Sequence, residues 1–249
     1  TCAFDLVGAK FVRDVNPGEM LIFEDGKEPQ SIQVFPPTPK KCIFEYVYFA
    51  RPDSLLFGKS AYSARIEMGR ALSKELPVDA DMVIPVPDSG VPAALGYSKE
   101  SGIPFELGII RNHYVGRTFI EPAQEIRDLK VKMKLSPIKE LIEGKKIIVI
   151  DDSIVRGTTS KQIVRMLRDA GAAEVHMRIS SPPTSDPCYY GIDTPDKSHL
   201  ISSSKSVDEV RKFIGADSLA YLGVDGLLAS CGGDKDSYCK ACFDGKYII

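Results

Sequence analysis

The sequence predicts an α/β fold, a mainly parallel sheet with helices on both faces. Three observations carry that expectation. Apolar, β-branched runs of strand length, such as Ile147-Ile148-Val149-Ile150, alternate with segments of helical periodicity from about residue 60 onward. The connections between them are short, as in parallel sheets crossed by helices. The clearest runs also end at acidic and small polar residues that lead into the next helix, where open α/β sheets hold their ligands.

Taken in order, residues 1–35 read as short strands and turns, with Asn16-Pro17-Gly18 and Glu24-Asp25-Gly26 as breakers. That piece is too short for a core of its own. Phe35-Pro36-Pro37-Thr38-Pro39-Lys40 reads as a stiff linker. Ala61 to Lys74 is expected to be a helix, Met82 to Val86 a strand, Pro92 to Lys99 a helix and Phe105 to Ile110 a strand. A further helix is expected to open with Ser136 as N-cap and Pro137 at its first position, and to stop at Gly144. After the Ile147 strand, Ile163, Met166, Leu167 and Ala170 mark one face of a helix that Gly171 ends, and Glu174 to Ile179 is the next strand. Arg111 to Leu135 interrupts this rhythm with seven cationic or imidazole side chains among apolar residues. It is either a solvated loop or a lid. Tyr114-Val115-Gly116-Arg117-Thr118-Phe119, with an aromatic ring, a hinge glycine and a cation, favours the lid.

Composition narrows the function. With 249 residues the chain can bury a sizeable core, and a net charge of −2 gives no general attraction to nucleic acid. No apolar stretch is long enough to span a bilayer, so neither a nucleic acid nor a membrane is expected as a partner. Six cysteines without a secretory pattern suit a reducing, cytoplasmic compartment, and thiols at special positions become metal or cluster candidates.

The chemistry concentrates where the Ile147–Ile150 strand ends. Asp151 and Asp152 point into the crevice beyond it. Ser153 and the loop Arg156-Gly157-Thr158-Thr159-Ser160 then offer a guanidinium, hydroxyls and backbone N–H groups at the positive end of a helix, which suits a phosphate. Acids beside a phosphate cradle repel the ligand unless they bind sugar hydroxyls or a cation intervenes, so the implied ligand is a ribose phosphate carried with Mg²⁺. The plainer alternative is turn and N-cap chemistry for Asp-Asp-Ser. Pro85-Val86-Pro87-Asp88-Ser89-Gly90 ends a second strand in the same style, again readable as a capped turn, and two such loops on neighbouring strands suit a ligand with phosphates at both ends.

The string Val149 to Ser160 resembles the signature of the type I phosphoribosyltransferases, which bind 5-phosphoribosyl-1-pyrophosphate (PRPP). Together with Cys42 to Asp53, Pro85 to Gly90, Arg111 to Glu121 and Tyr238 to Phe243, it resembles one family within them, the glutamine PRPP amidotransferases. That resemblance implies transfer of ammonia, taken from glutamine in the full-length enzymes, to PRPP, giving 5-phosphoribosylamine and pyrophosphate. It implies the type I phosphoribosyltransferase fold for residues 36–249 and the end of a glutaminase domain for residues 1–35, so this chain is expected to use ammonia only. It assigns Mg²⁺ and PRPP to Ser89, Asp151 and Asp152, the 5-phosphate to Arg156–Ser160, and closure over the site to Arg111, Tyr114, Arg117 and Thr118. Asp88 and Gly90 complete the expected pyrophosphate loop. It further implies inhibition by purine nucleotides, a homotetramer, and a cytoplasmic or plastid location.

Cys239-Lys240-Ala241-Cys242 is the single C-x-x-C of the chain, open to zinc, redox or structural readings. The resemblance implies a [4Fe–4S] cluster on Cys42, Cys188, Cys239 and Cys242, with zinc as the rival for four thiolates. Other function classes are a PRPP-binding regulator without catalysis, a metal-site structural protein and a base-salvage transferase. No added DNA-binding helical module or basic face speaks for the regulator.

Overall fold

The buried strand-forming runs assemble into a four-stranded parallel sheet in the computed structural model, whose described residues are 2–112, 134–232 and 234–248. Its strands are β1 (Met82–Pro85), β2 (Lys146–Asp151), β3 (Glu174–Ile179) and β4 (Ser218–Tyr221), in the spatial order β4-β3-β2-β1. Val149 of β2 stands opposite Ile84 of β1 and Met177 of β3. Asp151 therefore ends a strand that is paired on both sides.

Side chains alternate along β2 and feed two cores. Ile147 and Val149 pack with α3 (Thr158–Asp169) and α4 (Val207–Ile214) through Ile163, Leu167 and Val210. Ile148 and Ile150 face α1 (Ala61–Glu75), α2 (Val91–Ser101) and α5 (Val224–Cys231) through Ala64, Met68, Ala93 and Leu227. Each fully buried aliphatic side chain of this kind stabilises the fold by about 1.5–3 kcal/mol, which holds the strand end rigid beneath the loops it carries. Ser60 caps α1 by accepting the Ser63 N–H, and a reciprocal Ser206–Glu209 capping box starts α4.

The expected alternation holds from α1 to β3, with two corrections. Phe105 to Ile110 is not one strand: Phe105 makes an isolated parallel bridge with Val83, and Ile109–Arg111 pairs antiparallel with Leu135–Pro137 outside the main sheet. For the same reason Ser136 and Pro137 do not open a helix. They lie in that ladder, Pro137 opposite Ile109, and only Lys139–Ile142 is helical before Gly144 turns the chain with φ +74°. Among residues 2–35, Cys2–Leu6 forms a helix where strands and turns were expected, and Glu19–Ile22 pairs antiparallel with Gln30–Gln33. None of these residues is buried, as a piece without its own core requires.

Candidate active site

β1 and β2 end side by side, so the loops that follow them meet. Val86 N–H donates to the Ile150 carbonyl at 2.8 Å, tying the loop after β1 to the last turn of β2. Gly90 makes that approach feasible: a Cβ there would lie 2.3 Å from the Ile150 carbonyl oxygen, and only glycine avoids the clash. Ser89 consequently shares one cavity of about 460 Å³ with Asp151, Asp152, Ser153 and the whole of Arg156–Ser160. Two of the expected loop residues stand apart from it. Asp88 is exposed and pairs with Arg111 from the neighbouring ladder, and Gly90 forms the loop's backbone anchor. The peptide between Pro87 and Asp88 is cis.

The two acids are buried alike, each 6% exposed. Asp151 accepts the Asp152 N–H at 2.9 Å, and Ser153 donates its hydroxyl to Asp152. Burial, reinforced by the charge on Asp152, pushes the Asp151 carboxyl well above the ordinary carboxylate range. A cation or sugar hydroxyls in the cavity would relieve that stress, so the donor set fits both. Gly157, with φ +74°, delivers the chain into α3, whose first residues Thr158 and Thr159 are exposed while Ser160 is buried. Free N–H groups and hydroxyls at this helix start suit an anion. Tyr114, Arg117 and Thr118 lie outside the described residues.

The far wall of the cavity was not assigned from the sequence. Phe44, Tyr48 and Phe49 form an aromatic side, with ring centroids 5.9 Å apart for Phe44–Phe49 and 5.6 Å for Tyr48–Phe49. Ile192, Asp193, Thr194 and Thr184 complete it. The Thr184 hydroxyl is buried without a hydrogen-bond partner among the described residues. Segment 44–49 belonged to one of the resembling strings, yet its residue types alone give no role.

Cys42, Cys188, Cys239 and Cys242 line a second cavity of about 390 Å³, which shares Phe44, Ile192 and Thr194 with the first. Cys42 and Cys239 are register partners in a short parallel ladder. Among the described residues, no three His, Cys, Asp or Glu side chains converge closely enough to hold a single metal ion. Burial, reinforced by the other three thiols, raises the Cys242 pKa. At Cys188 burial pushes upward too, but the N–H groups of Gly191, Tyr190 and Ile192 outweigh it and favour the thiolate. Cys2 and Cys231 stand outside this cavity.

Known proteins align with this chain over all or nearly all of its length. A family profile described as the phosphoribosyl transferase domain matches residues 64–186. Across its entire length the chain is 56% identical to a chloroplastic amidophosphoribosyltransferase of Glycine max, and 53% identical to an amidophosphoribosyltransferase of Synechococcus elongatus. The chain is an amidophosphoribosyltransferase homologue. It spans about half the length of these relatives, 44% of the first and 50% of the second. Two solved structures match 99% of the chain at 52% identity and a TM-score of 0.91, over 54% and 55% of their own chains. One is the allosteric regulatory enzyme of purine biosynthesis. The other is the glutamine PRPP amidotransferase of B. subtilis complexed with ADP and GMP. The homologue has the type I phosphoribosyltransferase fold expected from the sequence. No helix among its described residues is long and apolar enough to cross a membrane.

Proposed function

We propose that this chain transfers ammonia to PRPP, yielding 5-phosphoribosylamine and pyrophosphate, the first committed step of de novo purine synthesis. The observation that carries the reading is the single cavity in which Ser89 faces Asp151, Asp152 and the Arg156–Ser160 loop. The loop at the start of α3 receives the 5-phosphate through backbone N–H groups and hydroxyls. Ser89 and the loop it belongs to receive the pyrophosphate. Asp151 and Asp152 hold the ribose hydroxyls between them.

In the reaction the bond from the anomeric carbon to the pyrophosphate oxygen breaks, a bond to nitrogen forms, and a proton leaves the new ammonium. The transition state has oxocarbenium character, as in glycoside cleavage, so fixed negative charge beneath the ring favours it. Ammonia needs no strong base; positioning and exclusion of water matter more. The aromatic side formed by Phe44, Tyr48 and Phe49 serves that exclusion. Arg111, Tyr114, Arg117 and Thr118 are assigned to cover the departing pyrophosphate. Mg²⁺, the ion commonly used by phosphoribosyltransferases, would be held by Ser89, Asp151 and Asp152, and when bound it neutralises pyrophosphate charge.

For the cysteine cavity we assign a [4Fe–4S] cluster on Cys42, Cys188, Cys239 and Cys242, as a structural staple. Zinc would need its thiolates within about 4 Å of one another. What supports the assignment is that all four cysteines line one cavity of about 390 Å³, and four thiolates are what such a cluster requires. Residues 1–35 are assigned to the end of a glutaminase domain. Purine nucleotides are assigned as inhibitors, in keeping with a structural relative that was complexed with ADP and GMP. A homotetramer is assigned by the resemblance, and a plastid or cytoplasmic location in line with plant relatives named chloroplastic.

The test is pyrophosphate release from PRPP and Mg²⁺ by the anaerobically purified chain. Ammonium should support turnover. Binding of PRPP without turnover on ammonium would instead make the chain a PRPP-binding regulator.

A further inference from the structure

Tyr48 and Phe49 form the aromatic side of the PRPP cavity while remaining 52% and 47% exposed. Burial therefore does not hold these rings in place. Their backbone does. Segment Glu45–Phe49 is a π-helical turn closed by the Ala50 N–H donating to the Glu45 carbonyl at 3.0 Å, and it leaves several carbonyls in need of donors.

One side chain collects three of them. Arg65 of α1 donates from Nε to the Tyr46 carbonyl at 2.8 Å, and from Nη2 to the carbonyls of Tyr48 at 2.9 Å and Ala50 at 2.8 Å. It is 4% exposed, and its three hydrogen bonds all go to backbone carbonyls. A buried guanidinium spent on carbonyls is expensive unless it fixes something. Burial lowers the Arg65 pKa, and the negative charge of Asp152 works against that.

The helix that carries Arg65 is itself locked. A Cβ on Gly69 would lie 1.9 Å from the Ala93 carbonyl oxygen, and one on Gly96 would lie 2.0 Å from the carbonyl oxygen of Ile66, the residue after Arg65. α1 and α2 thus meet backbone to backbone, which sets the height of Arg65 under the π-turn.

We propose that Arg65 is a positioning residue for the transfer reaction: by clamping the carbonyls of residues 46, 48 and 50, it holds Tyr48 and Phe49 over PRPP and keeps water from the anomeric carbon. The competing reaction it suppresses is hydrolysis. There a water oxygen bonds to the anomeric carbon, the bond to pyrophosphate breaks, and the water's proton passes to solvent. The inference rests on the PRPP-ammonia reading.

The test measures, for Arg65→Met and Arg65→Lys, the ratio of ribose 5-phosphate to 5-phosphoribosylamine formed from PRPP at fixed ammonium. That ratio does not depend on how much of the protein is active, so a merely destabilised variant leaves it unchanged. Loss of the clamp should raise it about tenfold in Arg65→Met, the worth of one to two hydrogen bonds, with PRPP affinity within about threefold of wild type. Arg65→Lys, retaining one donor group, should fall between, and it carries the test alone if Arg65→Met does not fold. An unchanged ratio in the variants beside an active wild type overturns the role of Arg65. Absence of turnover in the wild type itself would instead overturn the functional reading.

Discussion

Asp151→Asn should make the ligand-free protein more stable and the enzyme inactive. The two buried acids at the end of β2 repel one another unless a proton, a cation or a sugar intervenes, and burial with Asp152 beside it raises the Asp151 pKa well above the ordinary range. The sign follows from proton binding. Between the unfolded value, near 4, and the raised folded value, the native state holds a proton that the unfolded chain has lost. Stability contributed by that proton is fully present below the unfolded value and falls as pH rises through the folded one, with a slope of about 1.4 kcal/mol per pH unit across that window. Asparagine keeps the acceptor oxygen for the Asp152 N–H and removes the titration. At pH 8 the variant should gain about 1–3 kcal/mol, the usual cost of an unsatisfied buried polar group, and the gain should shrink toward acid pH. Urea unfolding at several pH values without Mg²⁺ or PRPP measures the difference, and turnover measures the loss. A variant less stable than wild type at every pH would refute the reasoning.

Gly90→Ala places a methyl group 2.3 Å from the Ile150 carbonyl and must push the Ser89 loop off β2. Overpacking against backbone should cost about 1–3 kcal/mol, and because Ser89 moves away from Asp151 the KM for PRPP should rise at least about tenfold in steady-state assays. The [4Fe–4S] assignment predicts a brown absorption in anaerobically purified protein, which Cys239→Ser should abolish while lowering the thermal midpoint; a colourless wild type would refute the assignment, and a chromophore kept in the variant would remove Cys239 from the ligand set.

Much of the site was legible because it is local. A β-branched run that stops at two acids and passes through Gly157 into a helix is written within fifteen residues, and β2 and α3 fall where that pattern puts them. Ser89 could be paired with it because two similar loops imply neighbouring strands. What was misread depended on partners distant in sequence. Ser136-Pro137 has the composition of a helix start, yet pairing with Ile109–Arg111 claims it for a ladder. The gathering of Cys42, Cys188, Cys239 and Cys242 around one cavity is tertiary, and from the residues themselves only Cys239 and Cys242 showed a motif; resemblance supplied the other two. Arg65 carried no signal at all, since its role exists only when a π-turn from another part of the chain lies above it. α4, β4 and α5 were not anticipated, although the Ser206–Glu209 capping box was present as a local cue.

The most direct measurement is the position of PRPP itself, from crystals of the chain soaked with PRPP and Mg²⁺. The 5-phosphate should lie against the backbone of Arg156–Ser160, the ribose over Asp151 and Asp152, and the pyrophosphate at Ser89. Density for PRPP in another cavity, such as the one between Leu135–Pro137 and α3, with the Asp151 cavity empty, would contradict it.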